Sequence, residues 1–143
     1  MQISSRFTIA VHVLVCIETF KKEQKVTSDF LASSVKVNPV VIRRLLLQLK
    51  KAGLVKVARG TGGTDIEKPL DKITLLDIYQ AVECVEDGRL FHFHENPNPL
   101  CPVGKNIHSI LDRRIESIQS AMEREMSAIT MQDIMKDARK FIP

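Results

Sequence analysis

The stretch over residues 26–64 constrains the fold more than any other part of the chain. Thr27 or Ser28 can cap a short helix whose apolar positions are Phe30, Leu31 and Val35, because a side-chain oxygen there accepts an N–H that the first helical turn leaves unpaired. Lys36-Val37 makes a turn. Asn38 then caps the next helix, and Pro39 stands at its first position, where a missing N–H costs nothing. Val41, Leu45, Gln48 and Leu49 recur at helical spacing, Ile42 and Leu46 widen that face, and the helix runs to about Ala52 before Gly53 stops it. Residues 54–58 alternate and are rich in β-branched side chains, so they predict a strand. Arg59-Gly60-Thr61-Gly62-Gly63-Thr64 is a flexible basic loop, and residues 65–68 return as a second strand ending at Pro69. Two capped helices, a tight turn, a strand and a Gly-rich loop follow without spare residues. That order makes a helix-turn-helix followed by a β-wing.

The charge distribution singles out the same region. Residues 21–60 hold ten Lys/Arg against Glu23 and Asp29, net +8, while residues 61–143 are net −4 and the whole chain is +4. All excess positive charge therefore lies on the helix-turn-helix and wing, as the electrostatic footprint of a nucleic-acid binder requires. With 143 residues, 44% apolar and 27% charged, the chain suits one ordinary domain, or a small domain with an appended arm. No apolar run approaches a membrane span, and no secretion signal is evident. Cys16, Cys84 and Cys101 are too few for a disulfide framework, so a cytoplasmic setting is expected.

Outside the basic region the pattern is helical. Phe7, Ala10, Val11, Leu14 and Ile17 predict a first helix from about Ser4 to Phe20, capped by Ser4 or Ser5. Thr74 with Asp77 resembles a capping box for a helix through about Val85, with Leu75, Ile78, Tyr79 and Val82 on its core face. Prolines 97, 99 and 102 forbid regular structure over residues 86–102. A long amphipathic helix then runs from Val103 to about Ser127, roughly 38 Å. Thr130 and Asp133 open a final short helix ending near Phe141. The expected fold is mainly α with a small β-hairpin. Residues 1–85 form a winged helix-turn-helix domain; residues 86–143 form a loop, a long dimerisation helix and a short helix packing on the first domain.

The helix after Asn38 is the candidate recognition element, since such a helix enters the major groove with its N-terminal part near the bases. Arg43 and Arg44 can each donate two hydrogen bonds to guanine, or bind only phosphate. Wing glycines allow close approach to the duplex, and Arg59 can reach a narrow minor groove. Arg6 can bind phosphate beside a helix start, or stand in solvent. The DNA-facing set is Ser5, Arg6, Thr27, Ser28, Asn38, Pro39, Val40, Arg43, Arg44, Arg59, Gly60 and Thr61. The apolar stripe Ile107, Ile110, Leu111, Ile115, Ile118 and Met122, continued by Met126 and Ile129, exceeds what one small domain covers. Packing against a second copy would bury it; folding back on its own domain is the alternative. Cys101, with His92, His94 and His108 nearby, is the candidate thiol or metal sensor, yet no paired-cysteine spacing is present and structural roles suit all four. No local catalytic signature appears, so no enzyme is expected.

The chain resembles the bacterial winged-helix regulators that include IscR, NsrR and CymR. The resemblance covers nearly the full length. It is carried by Ser5-Arg6-Phe7 with Ala10, the helix over 38–49, Ala52-Gly53-Leu54-Val55, Arg59-Gly60 through Gly62-Gly63, and residues 73–82. It implies a dimeric, DNA-binding transcriptional regulator, usually a repressor, with the long helix crossing to the other subunit and Arg59 in the minor groove. Its expected partners are double-stranded DNA and a second copy of itself, with no membrane. Cluster-binding members carry three cysteines in the loop before the dimerisation helix, where this chain holds only Cys101. No iron–sulfur cluster or other cofactor is therefore expected. The family wing often has a bulky residue after its Gly-Gly pair, where this chain has Thr64. A winged-helix protein-interaction module and a thiol- or metal-responsive sensor centred on Cys101 are the competing functions.

Overall fold

The computed structural model describes residues 3–60 and 62–143. Helix α1 (Arg6–Phe20) leads into α2 (Ser28–Val35) and α3 (Pro39–Lys51). Strands β1 (Val55–Val57) and β2 (Thr64–Ile66) form the hairpin, and α4 (Leu75–Ala81), α5 (Pro102–Ala128) and α6 (Met131–Ala138) complete the chain. Short 3-10 turns at Leu70–Lys72 and Glu86–Gly88 join them. The expected mainly helical fold with one hairpin is what the chain adopts.

Helix α1 is central. Ala10, Val13, Leu14 and Ile17 are fully buried, and Phe7 and Val11 pack half-buried against the same core. It starts at Arg6 rather than Ser4; Ser5 stands at the cap position without a side-chain cap bond, and the Ser4 hydroxyl accepts from the Arg6 amide at 3.2 Å. Thr27 caps α2 by accepting from the Phe30 amide. Lys36 closes the inter-helix turn in the left-handed region, φ 62°. Asn38 Oδ1 accepts from the Val40 amide at 2.8 Å and opens α3.

The hairpin pairs Val55 with Ile66, Lys56 with Asp65 and Val57 with Thr64, antiparallel. Both strands are shorter than the alternation predicts, and Thr64 belongs to β2 rather than to the loop. Helix α4 stops at Ala81, short of the expected Val85, because the backbone turns left-handed at Glu83, φ 49°. Its Thr74–Asp77 capping box is formed, as is that of Thr130 with Asp133 on α6. Helix α6 ends at Ala138, short of Phe141. Met131 and Met135 are buried, and the Met131 amide donates to Ile73 at 2.8 Å while the Leu75 amide donates to Ile129 at 2.9 Å. These bonds stitch the chain's end to the start of α4.

None of the 27 residues of α5 is buried within the chain. Its apolar positions divide. Met122, expected with the dimerisation stripe, and Met126 pack partly buried against the chain's own core. Ile110 and Ile118 are more than half exposed, Leu111 is exposed, and Ile107 and Ile115 are half-buried.

Candidate nucleic-acid interface

Helix α3 is fixed from beneath. Ile42, Leu45, Leu46 and Leu49 form its buried stripe at steps of three and four. Val41 and Gln48 lie roughly a quarter-turn off that stripe, which explains why Val41, expected inside, is 37% exposed. The opposite face carries Val40 (51% exposed), Arg44, Leu47 (66% exposed) and Lys51. Sequence reasoning missed Leu47; its signal is an apolar residue out of phase with an otherwise regular stripe. An exposed aliphatic on such a face suits a thymine methyl group.

Arg43 lies 3.7 Å from Asp29, both side chains more than half exposed. Exposed pairs of this kind contribute little, so the guanidinium can be given up to a phosphate. Arg43 also lines a cleft of about 470 Å³ between α3 and the wing, together with Thr27, Ser28, Leu47, Lys50 and Gly60. The structure thus brings Thr27, Ser28, Arg43 and Gly60 to one cleft, and adds Lys50. Asn38, Pro39 and Val40 sit at the start of α3, with Asn38 and Val40 exposed.

The wing is held against the body by its backbone. The Thr64 amide donates to the Val26 carbonyl at 2.8 Å, and the Ala58 amide donates to Gly63 at 3.2 Å. Gly60 turns the chain at φ +75°. Arg59 and Gly60 are exposed at the wing. Thr61 lies outside the described residues.

Arg6 sits elsewhere. Its Nη2 donates to the Glu83 carbonyl at 2.9 Å and its Nε to the Ser4 hydroxyl at 3.3 Å, fixing the guanidinium between α1 and the end of α4. Ser5 is exposed beside it.

The thiols stand apart from this surface and from one another. Cys16 on α1 is buried with its Sγ 3.2 Å from the Ser34 hydroxyl. Burial pushes the Cys84 thiol up to about 11. Cys101 precedes α5, and the amides of Gly104 and Val103 hold its thiol below the usual value. His108 is stacked on Phe93 at 4.2 Å, and His94 lies 6.3 Å from it edge-on. No helix among the described residues is long and apolar enough to cross a membrane.

Residues 3–137 match the Rrf2 family, described as iron-dependent transcriptional regulators. The chain is 43% identical over 133 residues to YwnA of Bacillus subtilis (strain 168), named as a putative HTH-type transcriptional regulator, across 93% of this chain and 96% of the relative. Among solved structures, one of a putative DNA binding protein is 37% identical, with a TM-score of 0.73, covering 92% of this chain and 99% of that one. T. potens IscR, 22% identical with a TM-score of 0.72, covers 100% and 92% and shows the shared fold. These matches are to regulators, not enzymes. The family description raises iron. Among the described residues, no three His, Cys, Asp or Glu side chains gather where a metal could sit. The three thiols lie on separate elements, two of them buried. The donors in this chain do not fit a cysteine-held iron centre.

Proposed function

Because the chain belongs to the Rrf2 family of transcriptional regulators, we propose that it is a cytoplasmic, homodimeric repressor that reads a palindromic operator. Residues 1–85 act as the DNA-reading head and residues 86–143 as the arm that joins two heads. The observation that carries this reading is the cleft between α3 and the wing, where Thr27, Ser28, Arg43 and Lys50 meet Gly60 beside the exposed Leu47. A recognition helix and a basic Gly-rich loop on either side of one groove suit a duplex, with one element in the major groove and the other in the minor.

Each contact has a role. Asn38, Pro39 and Val40 bring the start of α3 toward base edges. Arg43 and Arg44 serve guanine or phosphate. Arg59, with Gly60 and Thr61, serves the minor groove. Ser5 and Arg6 serve phosphates. Ile107, Ile110, Leu111, Ile115 and Ile118 form the apolar row offered to a second copy; Met122 contributes by anchoring α5 to its own head. A two-fold pair of heads matches half-sites about 34 Å apart. Control through a cysteine-held cluster has no support in the donor set.

Selection from random oligonucleotides with purified protein tests the reading. Enrichment of an inverted repeat is expected, with binding that weakens steeply as salt rises because phosphate contacts release counterions. Failure to enrich any motif, or binding indifferent to salt, overturns the DNA reading. Enrichment of a single unrepeated half-site overturns the dimer.

A further inference from the structure

A second cleft, of about 790 Å³, opens where the start of α1, the end of α4 and the second half of α5 meet. The proposed DNA surface uses only its Arg6. Tyr79 lines this cleft, is 4% exposed, and its hydroxyl has no hydrogen-bond partner among the described residues. The ring is held edge-on by Phe7, with centroids 6.2 Å apart. Buried hydroxyls are nearly always bonded, so an unpartnered one at a cleft is an unmet demand that a ligand can answer.

The charges are arranged around it. At one end Arg6 is fixed by the Glu83 carbonyl and the Ser4 hydroxyl. At the other, Gln119 Nε2 donates to the Gly88 carbonyl at 2.7 Å and to Glu123 at 3.3 Å, while Gln119 Oε1 accepts from the Leu90 amide at 3.0 Å. Both charged groups are thus positioned by neutral partners, and neither forms an ion pair among the described residues. Between them lie two neutral donors. Burial, then Cys84 and Glu123, hold the Tyr79 phenol above its ordinary value, while Arg6 acts on Cys84 in the opposite sense to burial. Arg6, Cys84, Tyr79 and Glu123 thus bring a cation, a thiol, a phenol and a carboxylate to one cleft. Glu83, Asp87 and Arg89 also line the cleft and are exposed, two carboxylates and one guanidinium.

We propose that this cleft binds an amino acid in its zwitterionic form, its carboxylate on Arg6, its ammonium on Glu123 and a polar atom on the Tyr79 hydroxyl. A ligand with one charge would leave the opposite group of the cleft unanswered. The volume exceeds that of the zwitterionic head, so the side chain decides which amino acid fits. The ligand and DNA would draw on the same guanidinium; that consequence rests on the DNA reading, whereas the ligand site does not.

The test uses the full chain without DNA, so its outcome is separate from that of oligonucleotide selection. Thermal shift and calorimetry are run with the twenty common amino acids, β-alanine and 4-aminobutyrate, and with propionate and propylamine as single-charge controls. At least one amino acid is expected to raise Tm and bind saturably, with neither control doing so. Glu123→Gln and Arg6→Gln should each weaken that binding by about tenfold or more, as loss of a charge-assisted hydrogen bond does. Tyr79→Phe should weaken it while melting no lower than the parent. Absence of binding across the panel, equal binding of propionate or propylamine, or affinity unchanged in Glu123→Gln overturns the proposal.

Discussion

The amide of Thr64 meets the carbonyl oxygen of Val26 across 2.8 Å, so the base of the wing is bonded to the residue that precedes the Thr27 cap of the first helix of the helix-turn-helix. Gly63 permits this approach. A Cβ there would stand 2.8 Å from the Val26 nitrogen, against backbone that cannot swing aside. Gly63→Ala is therefore expected to cost about 1–3 kcal/mol, as overpacking does. At Gly60 the space is open but φ is +75°, and Gly60→Ala should cost about 1–2 kcal/mol through backbone strain alone. Urea unfolding measures both; an unchanged midpoint for Gly63→Ala sinks the close-approach argument.

Two of the three thiols should react in a fixed order. Amides at the start of α5 favour the Cys101 thiolate, whereas burial pushes Cys84 up to about 11. Since only the thiolate attacks, iodoacetamide at neutral pH should label Cys101 before Cys84. The Cys101 rate should level off at a lower pH than that of a free thiol. Mass spectrometry of the folded protein gives the order, and earlier labelling of Cys84 would contradict it.

Acid should weaken the attachment of α6. The Thr130 amide and hydroxyl donate to Asp133 Oδ2 at 2.9 and 3.1 Å and hold its carboxyl below the ordinary value. A lowered folded value means the stabilisation is present above the unfolded aspartate value near ~3.9 and lost as pH falls through the folded one. The Tm difference between the parent and Asp133→Asn should be constant at neutral pH and shrink below about pH 4. A difference that persists at pH 2 would refute this. Thr130→Ala removes the reciprocal half of the box and should cost about 1 kcal/mol.

Arg59→Ala should lower DNA affinity while leaving thermal melting unchanged, since the side chain is exposed. Arg43→Ala should reduce the slope of log affinity against log salt by about one if it neutralises a phosphate. A specificity change without a slope change would instead assign Arg43 to a base. Binding titrations at several salt concentrations separate these results.

Local chemistry made much of this architecture legible. Thr27, Asn38, Thr74 with Asp77, and Thr130 with Asp133 each announce a helix start through a short-range bond, and each bond is formed. What could not be read depends on distance in three dimensions. Nothing near Cys84 in sequence predicts that Glu83 turns left-handed or that its carbonyl meets Arg6, 77 positions away. The stripe of α5 looked continuous because periodicity reports which side a residue occupies, not which neighbour covers it. Only the fold shows Met122 and Met126 turned to their own core while Ile110 and Ile118 are left outside. The residues of the cleft beside α3 were mostly legible, because α2, α3 and the hairpin are consecutive; Leu47 and Lys50 were not singled out.

The grip on α5 has a mechanical consequence. A rod of 27 residues, about 40 Å long, is clamped near its far end by Met122 and Met126. Were its contacts at Gln119 and His108 released, it would act as a lever about that clamp. Turning it by about 10° about that clamp sweeps the Pro102 tip through some ~5 Å, close to one helical pitch. Small repacking around two methionine side chains would then be geared up into a displacement as large as the spacing of successive turns.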